Sequence, residues 1–443
     1  MLPVSVSGAR DSWSNWTGDQ MCRPAEFRRP RDHDELAAAL NRARERGWSV
    51  RVAGAGHSFT DGVLTDGMLL SLDRMNGVVD VDASTGAARV EAGITLYDLN
   101  DRLHERGLAL ENLGDIAVQS LAGATATGTH GTGATYRNLS ANILSIELML
   151  ADGSTVELDE ASDPDGWRAA RVGLGALGVV TAMTIRTVPS FTLRAVDGTQ
   201  PLEEVFEQLD MLVDSNEHFE FYTFPHSKTA WTRVNNRVDD EPRPRSRASA
   251  WFHEMFLVNT MFGLVCRTGR RFPRLIPSLN RLSAALSGGG ERIDRSYKIF
   301  ASPRHVRFTE SEYAIPRQHA VQVIRAIHET IDRNGYDVPF PMEVRFVAPD
   351  DAFLSPSFGR DTSYVSVHMF EGMEWEPYFR SVQSIMREVE GRPHWGKRHF
   401  EEASDLRRLY PEWDRFGAIR KRLDPDGRFT NDHLRRVLGD PGG

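Results

Sequence analysis

Along residues 34–47, DELAAALNRARERG, the apolar positions Leu36, Ala39, Leu40 and Ala43 recur every three or four residues, and Gly47 follows them. That spacing gathers them on one helical face and supplies a glycine stop. A second such pattern, TLYDLNDRLHERG (95–107), turns Leu96, Leu99 and Leu103 inward and ends at Gly107. Elsewhere the pattern is that of strands: WSVRVAG (48–54), MLLSLDRM (68–75) and ARVEAG (88–93) are short and apolar. LSANILSIELMLADGSTVEL (139–158) reads as two strands joined at Asp152–Gly153, and GVVTAMTIRTVPSF (178–191) as a β-branched strand stopped by Pro189. The helices are too few and too irregularly spaced for a doubly wound sheet, so the expected fold class is α+β.

Beyond about residue 190 the character changes. DDEPRPRSR (239–247) and SGGGE (287–291) read as loops, PRQHAVQVIRAIHETIDRNG (316–335) as a helix, and PMEVRFVA (341–348) and SYVSVHMF (363–370) as strands. That is a second domain of sheet plus helices, and IRKRLDPDGRF (419–429) is expected to return to the first. MFLVNTMFGLVC (255–266) is too short to span a bilayer and is interrupted by Asn259 and Gly263; it reads as a buried core helix.

Composition narrows the function classes. A chain of 443 residues exceeds one hydrophobic core. Its net charge of -9 argues against a nucleic-acid binder. Two distant cysteines, Cys22 and Cys266, make neither a disulfide framework nor a cysteine zinc motif. MLPVSVSGARDSWSNW lacks the basic and apolar regions of a secretory signal, so a cytoplasmic protein is expected, without stable membrane insertion.

Three stretches carry candidate chemistry. RVAGAGHSFTD (51–61) sets His57 at the tip of a glycine turn, as a metal ligand, a catalytic base or an attachment point. LAGATATGTHGTGA (121–134) is dominated by Gly, Ala and Thr; its small side chains expose consecutive backbone N–H groups, a concavity suited to an anion such as a pyrophosphate. VGLGALGVV (172–180) contains the only literal G-x-G-x-x-G, but a helical pattern precedes it and a strand follows. That is the reverse of a dinucleotide fingerprint, and the glycines signal close backbone approach instead. In MEVR, Glu343 and Arg345 stand two apart on one strand and share a face, a spacing that by itself is more often structural than catalytic.

Together, AGAGHSFT (53–60), NLGDIAVQSLAGATATGTHGTG (112–133), MEVRF (342–346) and RPHWGKRH (392–399) resemble the aldonolactone oxidases of the vanillyl-alcohol-oxidase flavoprotein superfamily, with their relatives the alditol oxidases. The resemblance runs from about residue 14 to 436, through RLDPDGRFTNDHLRRVLG (422–439), and is weakest between about 235 and 300. It implies a two-part FAD-binding domain over 1–190, a substrate or cap domain over 191–412, and a segment 413–443 returning to the first. It implies FAD covalently attached through His57, with Ala53, Gly54, Ala55, Gly56 and Ser58 forming the turn around it. A second, cysteinyl link is excluded, since no cysteine lies between Cys22 and Cys266. Gly114, Asp115, Ser120, Gly123, Thr127, Gly128 and His130 match the flavin-side and pyrophosphate cradle, and Gly178 and Val180 the adenine side. Glu343 and Arg345 match the substrate-binding pair, His368 a substrate-side histidine and Lys397 the cation near flavin N1; no metal is implied. The implied reaction is oxidation of an aldono-1,4-lactone at C2 by hydride transfer to flavin N5. Molecular oxygen is the expected acceptor, giving hydrogen peroxide, because Gly114 stands where alanine accompanies poor oxygen access. A polyol oxidase and a lactone dehydrogenase are the alternatives. Asp115, where alditol oxidases carry serine, turns the expectation from polyols toward lactones.

Overall fold

The computed structural model describes residues 12–246, 259–302 and 304–440. Helix His33–Glu45 forms where the pattern places it: Asp32 caps it by accepting from the Glu35 N–H at 2.8 Å, and Leu36, Ala39, Leu40 and Ala43 are its buried face. Helix Leu96–His104, capped by Thr95, buries Leu96, Leu99 and Leu103. These helices serve two small sheets. Strands Glu26–Arg28, Met68–Leu70 and Val50–Val52 pair in parallel. An antiparallel sheet orders Thr155–Asp159, Ile143–Met149, Val179–Arg186, Ala87–Glu91 and Val78–Asp82, its first two strands turning at Gly153 with φ +86°.

The larger half is an eight-stranded antiparallel sheet. Its centre runs His218–Thr223, Met342–Val347, Thr362–Phe370, Phe308–Pro316. Side chains alternate across it with a period of two. One face carries Phe221, Val344, Val365 and Val367, packed beneath helices Ala320–Asn334 and Glu376–Arg387. Truncating one of these buried aliphatics costs about 2–5 kcal/mol. Registry places Glu220 opposite Arg345, Tyr222 opposite Glu343, Glu343 opposite Ser366, and Glu310 opposite His368. The second face is therefore polar although buried, and it holds the candidate chemistry.

The C-terminal segment packs on the first sheets. Helix Trp413–Leu423 shares a core with Trp167 and Ala169, and Phe429 lies among Leu36, Leu40 and Val50. Trp395 and Leu406 belong to the same large core. The stretch 255–266 departs from expectation. Residues 255–258 lie outside the described residues, and helix Phe262–Arg271 lies on the surface, burying only Gly263, Cys266 and Gly269. Small residues face inward there because Gly269 abuts Ile276; a Cβ on it would sit 3.1 Å from Ile276 Cγ1.

Candidate active site

The GHS turn is held from three sides. Gly56 adopts φ +73°, open to glycine at little strain, and its carbonyl accepts from Trp16 N at 2.8 Å. The Ser58 carbonyl accepts from Asn15 Nδ2 at 3.1 Å, and Phe59 N donates to the Gly396 carbonyl at 2.9 Å. Ala53 is buried at the strand end, its N–H donating to Leu70 O at 2.8 Å; Ala55 is half-buried. The His57 ring stacks on Trp16 with centroids 5.3 Å apart. Burial, aided by the Lys397 charge, pushes His57 down to about 4, so the imidazole is neutral at neutral pH. Among the described residues none hydrogen-bonds its ring nitrogens.

The glycine-rich segment leans on this turn. A Cβ on Gly54 would lie 2.5 Å from Ser120 Oγ, and one on Gly123 2.9 Å from the same atom. Ser120 caps the short helix Leu121–Ala126, and Thr127 Oγ1 donates to the Gly123 carbonyl at 3.1 Å. Gly128, with φ +76°, passes beneath Pro356. Further on, Gly133 N donates to Phe346 O at 2.7 Å, which fastens this segment to the strand carrying Glu343 and Arg345. Gly114 approaches the backbone of His130, and a Cβ there would lie 3.0 Å from the His130 carbonyl oxygen. His130 itself stacks on Tyr364 at 3.5 Å, with Nδ1 at 2.9 Å from Gly131 O and Nε2 at 3.2 Å from Glu312. Both ring nitrogens are thus engaged on the polar face of the sheet. Gly178 and Val180 are set apart from this group, in the five-stranded sheet; Gly178 abuts Met149 O, where a Cβ would lie at 3.1 Å. Their neighbour Gly175 closes instead on a residue the sequence did not single out, Arg51. Its buried guanidinium donates to the carbonyls of Gly62, Leu174, Gly175 and Phe429 at 2.7–2.9 Å, tying four segments behind the turn.

Two charge centres occupy the polar face. In the first, the Arg345 guanidinium pairs with Asp115 and Glu343 and bonds Glu220 at 2.9 Å. Arg304 holds Asp115 at 2.6 Å, and the Tyr222 hydroxyl donates to Glu343 at 2.6 Å. Asp115, Glu220 and Glu343 thus enclose a cation already supplied by the chain. Burial works against ionisation of Asp115, yet Arg345 and Arg304 hold it well below the usual carboxylate range. Glu343 goes the other way: burial first, then repulsion from Asp115 and Glu220, raises it to about 8 despite Arg345. In the second centre, Lys397 pairs with Glu310, whose other oxygen lies 3.6 Å from His368 Nε2. Burial opposes the Lys397 charge, but Glu310, Glu312 and Glu343 together keep the ammonium above its ordinary value. Burial lowers His368, which Pro341 O anchors at Nδ1 over 3.1 Å. His394, pushed down to about 3 by burial, accepts from Gly396 N at 3.0 Å and so shapes the loop that presents Lys397.

Glu220, Tyr222, Arg304, Glu310 and Glu312 are functional candidates beyond the sequence reading. Glu310 and Glu312 sit in FTESEYAIP with the two-residue spacing that drew attention to Glu343 and Arg345. Glycine contacts that leave no room for a Cβ, a neutral imidazole whose ring nitrogens meet no hydrogen-bond partner among the described residues, and a nearby ammonium suit an extended anionic cofactor, and FAD fits these residues.

This fold and site define a class, the FAD-binding oxidoreductases of vanillyl-alcohol-oxidase type; residues 24–159 match the FAD binding domain model. The whole chain also superposes on a solvent-stable cholesterol oxidase with TM-score 0.83, covering 97% of this chain and 98% of that one at 19% identity, a likeness of fold. Residues 183–437 match the D-arabinono-1,4-lactone oxidase model, and the chain belongs to that family. It is 48% identical over 427 residues to an L-gulono-1,4-lactone dehydrogenase of Mycobacterium tuberculosis, covering 96% of this chain and 99% of that protein. It is 34% identical to the L-gulonolactone oxidase of Mus musculus, covering 96% and 98%. Among the described residues no helix is long and apolar enough to cross a membrane.

Proposed function

We propose that this protein oxidises an aldono-1,4-lactone at C2, with FAD held covalently through His57. Residues 1–190 and 413–443 form the cofactor-binding part in this reading, and 191–412 the substrate-binding part. What carries it is the convergence on one polar sheet face of Glu343, Arg345 and Lys397, with Lys397 close enough to depress His57. FAD, when bound, supplies N5 as acceptor for the hydride leaving C2. Arg345 orients the C2 hydroxyl, and Glu343, held near the operating pH, takes its proton. With FAD bound, Lys397 would balance the negative charge of the reduced ring, and Tyr222 keeps the receiving carboxylate oriented. His368 and Glu310 line the substrate side.

The electrons pass to molecular oxygen, giving hydrogen peroxide, in the reading supported by Gly114. A second reading, a lactone dehydrogenase with another acceptor, is favoured by the 48% identical relative of that name. Gly114→Ala separates them. In an oxidase, the added methyl, which meets the His130 carbonyl at 3.0 Å, is expected to slow reoxidation by air about tenfold more than it slows dye-linked lactone turnover. A wild-type enzyme that stays reduced in air, yet turns over with dye, is the dehydrogenase. An air reoxidation rate unmoved by Gly114→Ala removes Gly114 from the argument.

A further inference from the structure

Among the described residues, six of the twelve exposed large hydrophobics fall within residues 261–286: Met261, Leu264, Phe272, Leu275, Leu282 and Leu286, each 40–72% exposed. Leu264 lies on helix Phe262–Arg271, which Met261 and Phe272 flank, Leu275 on the turn Pro273–Leu275, and Leu282 and Leu286 on helix Ile276–Leu286. The same stretch carries Arg267, Arg270, Arg271, Arg274 and Arg281 and no aspartate or glutamate, within a chain of net charge -9. No described carboxylate pairs with any of these arginines; Arg270 donates to the Glu371 carbonyl at 2.9 Å, and Arg271 lies over Phe272. The hairpin is anchored from beneath through Cys266 against Phe340 and Phe370, and Gly269 packs its two helices together against Ile276, with Pro339 also close by. The first helix buries only Gly263, Cys266 and Gly269 and the second Ile276, Asn280 and Ala284, so Leu264, Leu282 and Leu286 are left facing solvent. The run Arg270–Leu275 is exposed at every position, alternating cations with Phe272, Pro273 and Leu275.

We infer that residues 261–286 are a docking surface for an anionic phospholipid bilayer. Apolar side chains at the tip of a cationic helical elbow match an interface of acyl chains below and phosphates above. Charge argues against the nearest alternative. A symmetric contact between two copies would set five arginines against five arginines with no acid among them. An anionic membrane would instead attract this face and repel the rest of the acidic chain, which fixes the orientation of docking. Insertion is shallow, since neither helix is long enough to span.

The test uses the full-length chain in sedimentation with vesicles of equal parts phosphatidylglycerol and phosphatidylcholine, against phosphatidylcholine alone. Binding is expected on the anionic vesicles and not on the neutral ones, and should weaken between about 0.1 M and about 0.5 M salt. Losing both charges in Arg271→Gln/Arg274→Gln should lower the partition constant about 25-fold, at about fivefold per arginine. Phe272→Ser/Leu275→Ser should lower it at least about tenfold. Both variants should keep the wild-type melting temperature, because all four residues are exposed. Equal binding to the two vesicles, or anionic binding untouched by both variants, overturns the inference. So does a wild-type dimer that binds no vesicles and that Phe272→Ser/Leu275→Ser turns into monomer, since another copy would then cover the face.

Discussion

Glu343→Gln is expected to lower kcat for lactone oxidation by about 10²–10⁴-fold, the usual worth of a positioned general base. The substitution keeps the size of the side chain and an oxygen to accept from Tyr222, while removing a carboxylate from a cluster that already holds Asp115 and Glu220. In the wild-type enzyme the acid limb of the kcat/KM profile should bend near pH 8, where Glu343 ionises. The variant should lose that limb along with the rate. Folding stability gives an independent reading. The Glu343 carboxyl is raised from 4.5 to about 8, so the native state binds the extra proton between those values. Its contribution to stability is intact below about pH 4.5, falls as pH rises, and is gone above about 8. Glu343→Gln should therefore flatten the melting temperature across that window, most visibly at its alkaline end. Thermal melts at a series of pH values check this without any turnover. A variant that keeps wild-type kcat would remove Glu343 from the proton transfer.

How much of this was readable beforehand follows from what a linear pattern can encode. The faces of the helices at 33–45 and 96–104 are written in three- and four-residue spacings, and tertiary packing used them as written. Glu343 and Arg345 share a face for a reason as local, the two-residue period of a strand. Their partners are another matter. Glu220 lies 125 residues before Arg345 and meets it only through antiparallel registry. Arg304 reaches Asp115 across 189 residues, and no local period foretells that. Arg51 looked like an ordinary strand residue; its role arises where three other chain segments expose carbonyls to it. The helix at 262–271 failed differently. Its hydrophobic content is that of a core helix, but Gly263, Cys266 and Gly269 fit the close contact and Leu264 does not, so the small side rather than the greasy side went inward. Size competed with hydrophobicity there, and size won.

His57→Ala should release all flavin into the supernatant on acid precipitation, whereas the wild-type pellet is expected to stay yellow. The variant should still bind FAD before precipitation, because the glycine contacts at Gly54, Ser120 and Gly123 do not depend on the imidazole. Turnover should fall about tenfold or more, through looser positioning of the ring relative to Glu343 and Arg345. The environment of His57 adds a sharper test. In the proposed attachment the neutral imidazole would be the nucleophile, and its conjugate acid forms only near pH 4 because burial and Lys397 disfavour a second cation. Attachment of FAD to flavin-free protein should accordingly run at constant rate through neutral pH and slow only as the solution approaches about 4. Lys397→Met removes the charge that helps depress His57, so the onset of that slowing should move to higher pH. A histidine that merely packed against Trp16 would show neither the covalent pellet nor the shift. His57→Ala with its flavin still in the pellet would place the tether elsewhere, while an attachment profile unmoved in Lys397→Met would leave burial alone as the cause of the neutral ring.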